Sequence, residues 1–191
     1  MKPINNFDSV KGAGGSIENL PAGGYVCEIK KCTEEANKNT KGSHLTIQFD
    51  VCEGENADFF ARDWKSQDRE DKFWRGVVNQ NVPDESSPKY DMQCRFFKSF
   101  VMNVEDSNPG YHWAWDETTL KGKKIGVIFG EVEKQSSRGT IYTITRADSI
   151  VSVATILSGK YKVPAPRTIS NTSLAPAQAA NYGGYADELP F

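Results

Sequence analysis

The segment that constrains this chain most is SHLTIQFDV at 43–51, where Leu45, Ile47, Phe49 and Val51 alternate with His44, Thr46, Gln48 and Asp50. A period of two places one row on each side of an extended backbone, so this is a strand with one apolar and one polar face. Such a strand needs a sheet and a core. Upstream, GGYVCEIKKC alternates too, with Tyr25, Cys27 and Ile29 on one row and Val26, Glu28 and Lys30 on the other. The polar, glycine-containing stretch TEEANKNTKGS between them makes the pair a hairpin. A third short strand is expected at DFFARDW (58–64), after EGENA.

The pattern then changes. Residues 65–88 are charged and punctuated by Pro83 and Pro88, with a short helix expected around DREDKFWRGVV. KYDMQCRFFKSFVMNVED has helical spacing: Phe96 and Phe100 are one turn apart, and Phe97, Val101 and Val104 form a neighbouring stripe. Phe96, Phe97 and Phe100 read as a plug between this helix and the sheet. After the Trp-rich connection YHWAWDETTLKG, in which Trp113 and Trp115 read as packing residues, KKIGVIFGEVEK and GTIYTITRADSIV flank QSSRG as a second hairpin. Three strands, a helix and two strands match a mainly β fold. The expectation is an OB-fold-like five-stranded Greek-key barrel with a helical insertion between strands 3 and 4. The long helical segment argues against an all-β sandwich.

Three regions follow from composition. Residues 1–19, with KGAGGS, read as a flexible arm, and 20–163 as the barrel domain. Residues 164–191 carry PAPRTISNTSLAPAQAANYGGY, which has no apolar period, and read as a disordered tail.

Charge and cysteine usage narrow the function classes. With 23 Lys and Arg against 25 Asp and Glu, the net charge of -2 gives no bulk basic footprint, so any nucleic-acid affinity has to come from local clusters. No apolar run reaches the ~18 residues of a membrane span, and the first residues lack a secretory apolar stretch, so a cytoplasmic protein is expected. Cys27, Cys32, Cys52 and Cys94 form no CxxC pair and read as reduced thiols. On a regular strand, Cys27 and Cys32 would face opposite sides. Neither a metal nor a cofactor is expected. Phosphate-loop, HExxH and GxSxG motifs are absent from the sequence. The acids Asp63, Asp68, Glu70 and Asp71 are the residues from which a Mg²⁺ nuclease cluster would be built. Interleaved with Arg69 and Lys72, they read instead as a solvated helix face, and the protein is expected to be non-enzymatic.

Single-stranded nucleic acid is held by aromatic faces that stack bases and by cations that follow the backbone. Aromatic residues make up 11% of this chain, enough to supply such faces. In an OB-type barrel the contacts lie on strands 2 and 3 and on the loops joining strands 1–2 and 4–5. Lys38 and Lys41 fall in the first loop, and Lys134 and Arg138 in the second. His44 lies on the polar row of strand 2, Phe60, Arg62 and Trp64 on one row of the expected strand 3, and Tyr142 just after the second loop. Phe60 and Trp64 read equally as core, because Phe59 on the other row is also apolar. Lys121, Lys123 and Lys124 form a short basic run that also suits a strand edge.

The chain closes on Asp187, Glu188, Leu189, Pro190 and Phe191. Physically this is a hook. It has a ring for an apolar pocket, a carboxylate for an Arg or backbone N–H groups, a proline that stiffens the approach, and acids steered towards a basic rim. DELPF resembles the acidic tip of bacterial single-stranded DNA-binding proteins, with fewer acids before the Leu. The pieces LPAGGYVCEIKKC, SHLTIQFDVCEGE, FFARDW, LKGKKIGVIFGEVE and GKYKVP, over roughly 20–164, resemble in order and spacing a bacteriophage-encoded family of SSB-like proteins. The resemblance implies sequence-tolerant single-stranded DNA binding in phage or prophage replication or recombination, inside a bacterial host cell. It also implies recruitment of replication and recombination proteins through the tip, with the oligomeric state left open. The alternative is an OB-type barrel that serves only as a protein-interaction module.

Overall fold

The computed structural model describes residues 18–38 and 40–169. Among these, the strands are β1 (Gly23–Ala36), β2 (Ser43–Val51), β3 (Val77–Asn81), β4 (Lys124–Gln135) and β5 (Ile141–Val151). Helix α1 (Phe59–Ser66) follows β2, α2 (Tyr90–Ser107) follows β3, and α3 (Val153–Leu157) follows β5. Every strand pairing is antiparallel, and the sheet order is β3-β2-β1-β4-β5. The fold is therefore a five-stranded antiparallel sheet with a few helices. Its two edge strands, β3 and β5, touch.

The apolar row of β2 is the centre of the core. Leu45, Ile47, Phe49 and Val51 are all buried, with Ile29, Ile125, Val127 and Phe129 from the neighbouring strands. Phe49 packs edge-on against Phe60 at 5.7 Å and Phe129 at 6.0 Å between ring centroids, the geometry that ring quadrupoles favour.

Cys27 and Cys32 are both buried, contrary to the odd-spacing argument. The pairing of β1 with β2 shifts between Ile29 and Lys31, so one extra residue enters the strand there. That bulge inverts the alternation and returns Cys32 to the core side.

The expected third strand at 58–64 is helix α1. Phe59 and Phe60 are adjacent and both buried. A strand would send them to opposite faces, whereas neighbours on a helix are only ~100° apart and can share one. The opening N–H groups of the helix are satisfied from β2: the Asp50 carboxylate accepts from Phe60 N at 2.9 Å and Ala61 N at 3.0 Å, and also from Val51 N at 2.9 Å. The expected helix at 68–78 is absent. That stretch is irregular and leads into β3, which pairs with β2 from His44↔Asn81 to Gln48↔Val77.

Helix α2 lies where its spacing placed it and buries Phe97, Phe100 and Val104. Phe96 is exposed and is no part of the plug. The first residues of the expected tail lie along β4. Arg167 N donates to Glu131 O at 2.9 Å, Glu133 N donates to Arg167 O at 2.8 Å, and the Arg167 guanidinium pairs with Asp148. Gly130 makes room for this segment, since a Cβ there would stand 2.5 Å from Pro164 Cγ.

Candidate nucleic-acid interface

The row of β2 that faces away from the core joins its neighbours into a polar surface. His44 lies beside Glu35 and Asn81, Thr46 beside Thr33 and Asn79, and Gln48 beside Lys31 and Val77. Apart from Val77, these positions carry hydrogen-bonding groups; their one ring is the His44 imidazole, and Asn79 is buried.

One end of this surface is the β1–β2 loop. Asn37 closes it, with N donating to Gly42 O at 3.0 Å and Nδ2 donating to Lys41 O at 3.2 Å. The His44 ring Nδ1 lies 2.8 Å from Asn37 Oδ1. Lys38 and Lys41 are exposed on this braced loop, so Lys38, Lys41 and His44 form one cluster.

The other end is α1. Its seat, Asp50, is only 1% exposed, and burial pushes its carboxyl group up from the ordinary value while the three N–H donors pull the other way. Arg62 is exposed, and Trp64 is 40% exposed. Phe60, expected as a possible platform, is core at 4% exposure against Phe49, Phe59 and Phe129. Asp63 binds Arg75 through both oxygens, at 2.8 and 2.5 Å.

The β4–β5 hairpin carries the remaining residues. Lys134 and Tyr142 are cross-strand partners, and Arg138 is exposed at the turn. Short links tie this hairpin to α1. Arg75 Nη2 donates to Glu18 O at 2.8 Å, and Asn19 Nδ2 donates to Thr143 O at 3.2 Å.

The expected site is thus two clusters. Lys38, Lys41 and His44 sit at the start of β2. Arg62 and Trp64 sit beyond its end, on the side that the Glu18–Asn19 links join to the hairpin of Lys134, Arg138 and Tyr142. His44 and Asp50 mark the ends of the intervening row, about 20 Å apart at ~3.3 Å per residue. The tip residues Asp187, Glu188, Leu189, Pro190 and Phe191 lie outside the described residues.

Other candidates are accounted for locally. Lys124 pairs with Glu53 at 2.7 Å, and Lys123 Nζ stands 4.6 Å from the Tyr111 ring centroid. Asp63 and Asp71 are each held by an arginine, Arg75 and Arg69. Among the described residues no three His, Cys, Asp or Glu side chains come together as metal ligands, and no helix is long and apolar enough to cross a membrane.

Trp115, read from the sequence as packing, and Phe73, to which it gave no role, are exposed aromatics. Trp115 is 78% exposed on a left-handed backbone (φ 60°), with its ring stacked on Phe97 at 6.1 Å. Phe73 is 39% exposed with the Arg69 guanidinium 5.2 Å from its ring centroid. No protein-family model matches the sequence, and no curated protein does.

Proposed function

We propose that this is a non-enzymatic, sequence-tolerant single-stranded DNA-binding protein of the phage type, built on an OB-like Greek-key barrel with α2 inserted between strands 3 and 4. The observation that carries the reading is the polar outward row of β2, His44, Thr46 and Gln48, with cations at both ends. Lys38 and Lys41 lie at one end, and Arg62 and the hairpin bearing Lys134 and Arg138 at the other. Phosphates at the two ends release counterions, and unstacked bases between and beside them meet hydrogen-bonding side chains and rings. Such local charge supports binding by a chain whose net charge is -2. The sheet order supports the barrel, because β3-β2-β1-β4-β5 with β3 touching β5 is the order in which a five-stranded OB barrel closes.

In this reading the protein works in the host cytoplasm in replication or recombination, and the terminal DELPF recruits partner enzymes. Intrinsic tryptophan fluorescence on adding oligo-dT is the test. Quenching that saturates supports the reading, and an unchanged spectrum at low salt overturns it.

A second reading has its own support. Met92, Phe96 and Met102 on α2 are exposed, as is Trp115. These side chains suit a protein-interaction module, which predicts no response to oligo-dT.

A further inference from the structure

The outward row of β2 carries no ring larger than the His44 imidazole, so extended stacking surface has to come from elsewhere. We propose that the segment between β2 and β3, residues 59–75, supplies it, with Trp64 and Phe73 as the two base-stacking rings of the single-stranded DNA site. The inference rests on the reading above and extends it from Trp64, a candidate already on the expected strand 3, to Phe73, to which the sequence assigned no role.

Each ring has a cation beside one face. Lys72 Nζ lies 5.3 Å from the Trp64 ring centroid, and Arg69 Cζ lies 5.2 Å from that of Phe73. A cation over a π-face is favourable in itself and holds the ring in one orientation. Both rings are about two-fifths exposed, at 40% and 39%, so neither is consumed by the core.

The segment is braced. The Gln67 side chain pairs with the Phe73 backbone, Nε2 donating to Phe73 O at 2.8 Å and Oε1 accepting from Phe73 N at 3.0 Å. The same Nε2 donates to Asp63 Oδ2 at 3.1 Å, and Asp63 is itself clamped by Arg75. Lys72 Nζ also donates to Lys65 O at 3.3 Å, joining the loop to the end of α1. Pre-ordered rings lose little conformational freedom on binding, which is where a stacking site gains affinity.

Charge on the segment is mixed. Asp63 and Asp71 are matched by Arg75 and Arg69, while Asp68 and Glu70 are exposed, as are the cations Arg62, Lys65 and Lys72. The segment therefore contributes stacking more than net phosphate attraction. Its place after β2, tied through Glu18 and Asn19 to β5, sets the segment at the end of the sheet that also carries the β4–β5 hairpin.

The test measures oligo-dT affinity of the full chain by fluorescence anisotropy of a labelled oligomer. The proteins are wild type, F73A, W64A, K72Q and, as an exposed aromatic on a different surface, F96A, each checked for folding by thermal melting. F73A and W64A are expected to weaken binding by roughly 5- to 150-fold each, the equivalent of one stacked base. F96A should leave it unchanged. K72Q should reduce the salt dependence by less than one phosphate contact. If F73A and W64A bind like wild type, the stacking role is overturned while DNA binding by the sheet stands. If wild type itself does not bind at low salt, both fall. If W64A unfolds, F73A still decides the matter, because its side chain is exposed and the residue lies in neither a helix nor a strand. Equal losses in F96A would also overturn the assignment.

Discussion

Asp50 joins the stability of the fold to the integrity of the site, and Asp50→Ala exposes that link. The carboxylate is buried and accepts from Val51 N, Phe60 N and Ala61 N, two of which open α1. Removing an N-terminal cap costs about 0.5–2 kcal/mol. Leaving a buried N–H without a partner adds about 1–3 kcal/mol. Water can reach Ala61, which is only half buried, so the larger penalty applies mainly to Phe60. Together these predict a loss of about 2–4 kcal/mol in urea unfolding. Asp50→Asn keeps one acceptor oxygen and should lose less. Because α1 carries Arg62 and Trp64, Asp50→Ala should also weaken oligo-dT binding at temperatures where the sheet is still folded. A stability change below about 0.5 kcal/mol would refute the claim that Asp50 anchors the helix.

Further outcomes follow from other parts of the structure. Burial raises the folded-state value of Asp50, so the stability it contributes is fully present below the ordinary carboxylate range and is lost as pH rises through the folded value. The margin of wild type over Asp50→Asn in urea melts should therefore grow from pH 7 to pH 4, and a shrinking margin would contradict the assignment. Burial pushes the Cys27 thiol up and the Cys32 thiol up to about 12, so a disulfide reagent at pH 8 should leave both intact in the native protein. Cys94, only half buried, should react, and denaturation should expose all 4. Gly126→Ala should cost about 1–3 kcal/mol in urea unfolding, since its Cβ would stand 2.5 Å from Ile156 Cγ1 and 2.8 Å from Ser152 O. Deleting residues 187–191 should leave oligo-dT affinity intact or slightly tighter, as two acids that compete with phosphates are removed. A large loss on that deletion would refute the division between sheet and tip.

Much of the sheet was legible because its strands have one wet and one dry face. The bounds of β2 coincide with its alternating run, and both hairpins follow from polar loops between such runs. The sequence was silent where alternation fails. β3 has five residues, of which Asn79 and Gln80 are buried polar groups, so no apolar row marks it. FFARDW fits a short strand or a short helix equally by period, and the tie is broken by Asp50, a tertiary partner no local pattern reveals. The bulge near Lys30 had no glycine to announce it, which is why Cys32 was assigned to the wrong face. For the candidate site, the loop cations were readable from hairpin chemistry. The burial of Phe60 and the exposure of Phe73 and Trp115 depend on how the β2–β3 segment and the Trp-rich connection fold back, and single-residue type carries no trace of that.

The most direct measurement is a salt titration of oligo-dT affinity. If Lys38, Lys41, Arg62 and Arg138 each meet a phosphate, log K should fall linearly with log salt concentration with a slope of about -3. Absence of binding at the lowest salt, or an affinity that does not change with salt, would contradict a site built from cations at the two ends of β2.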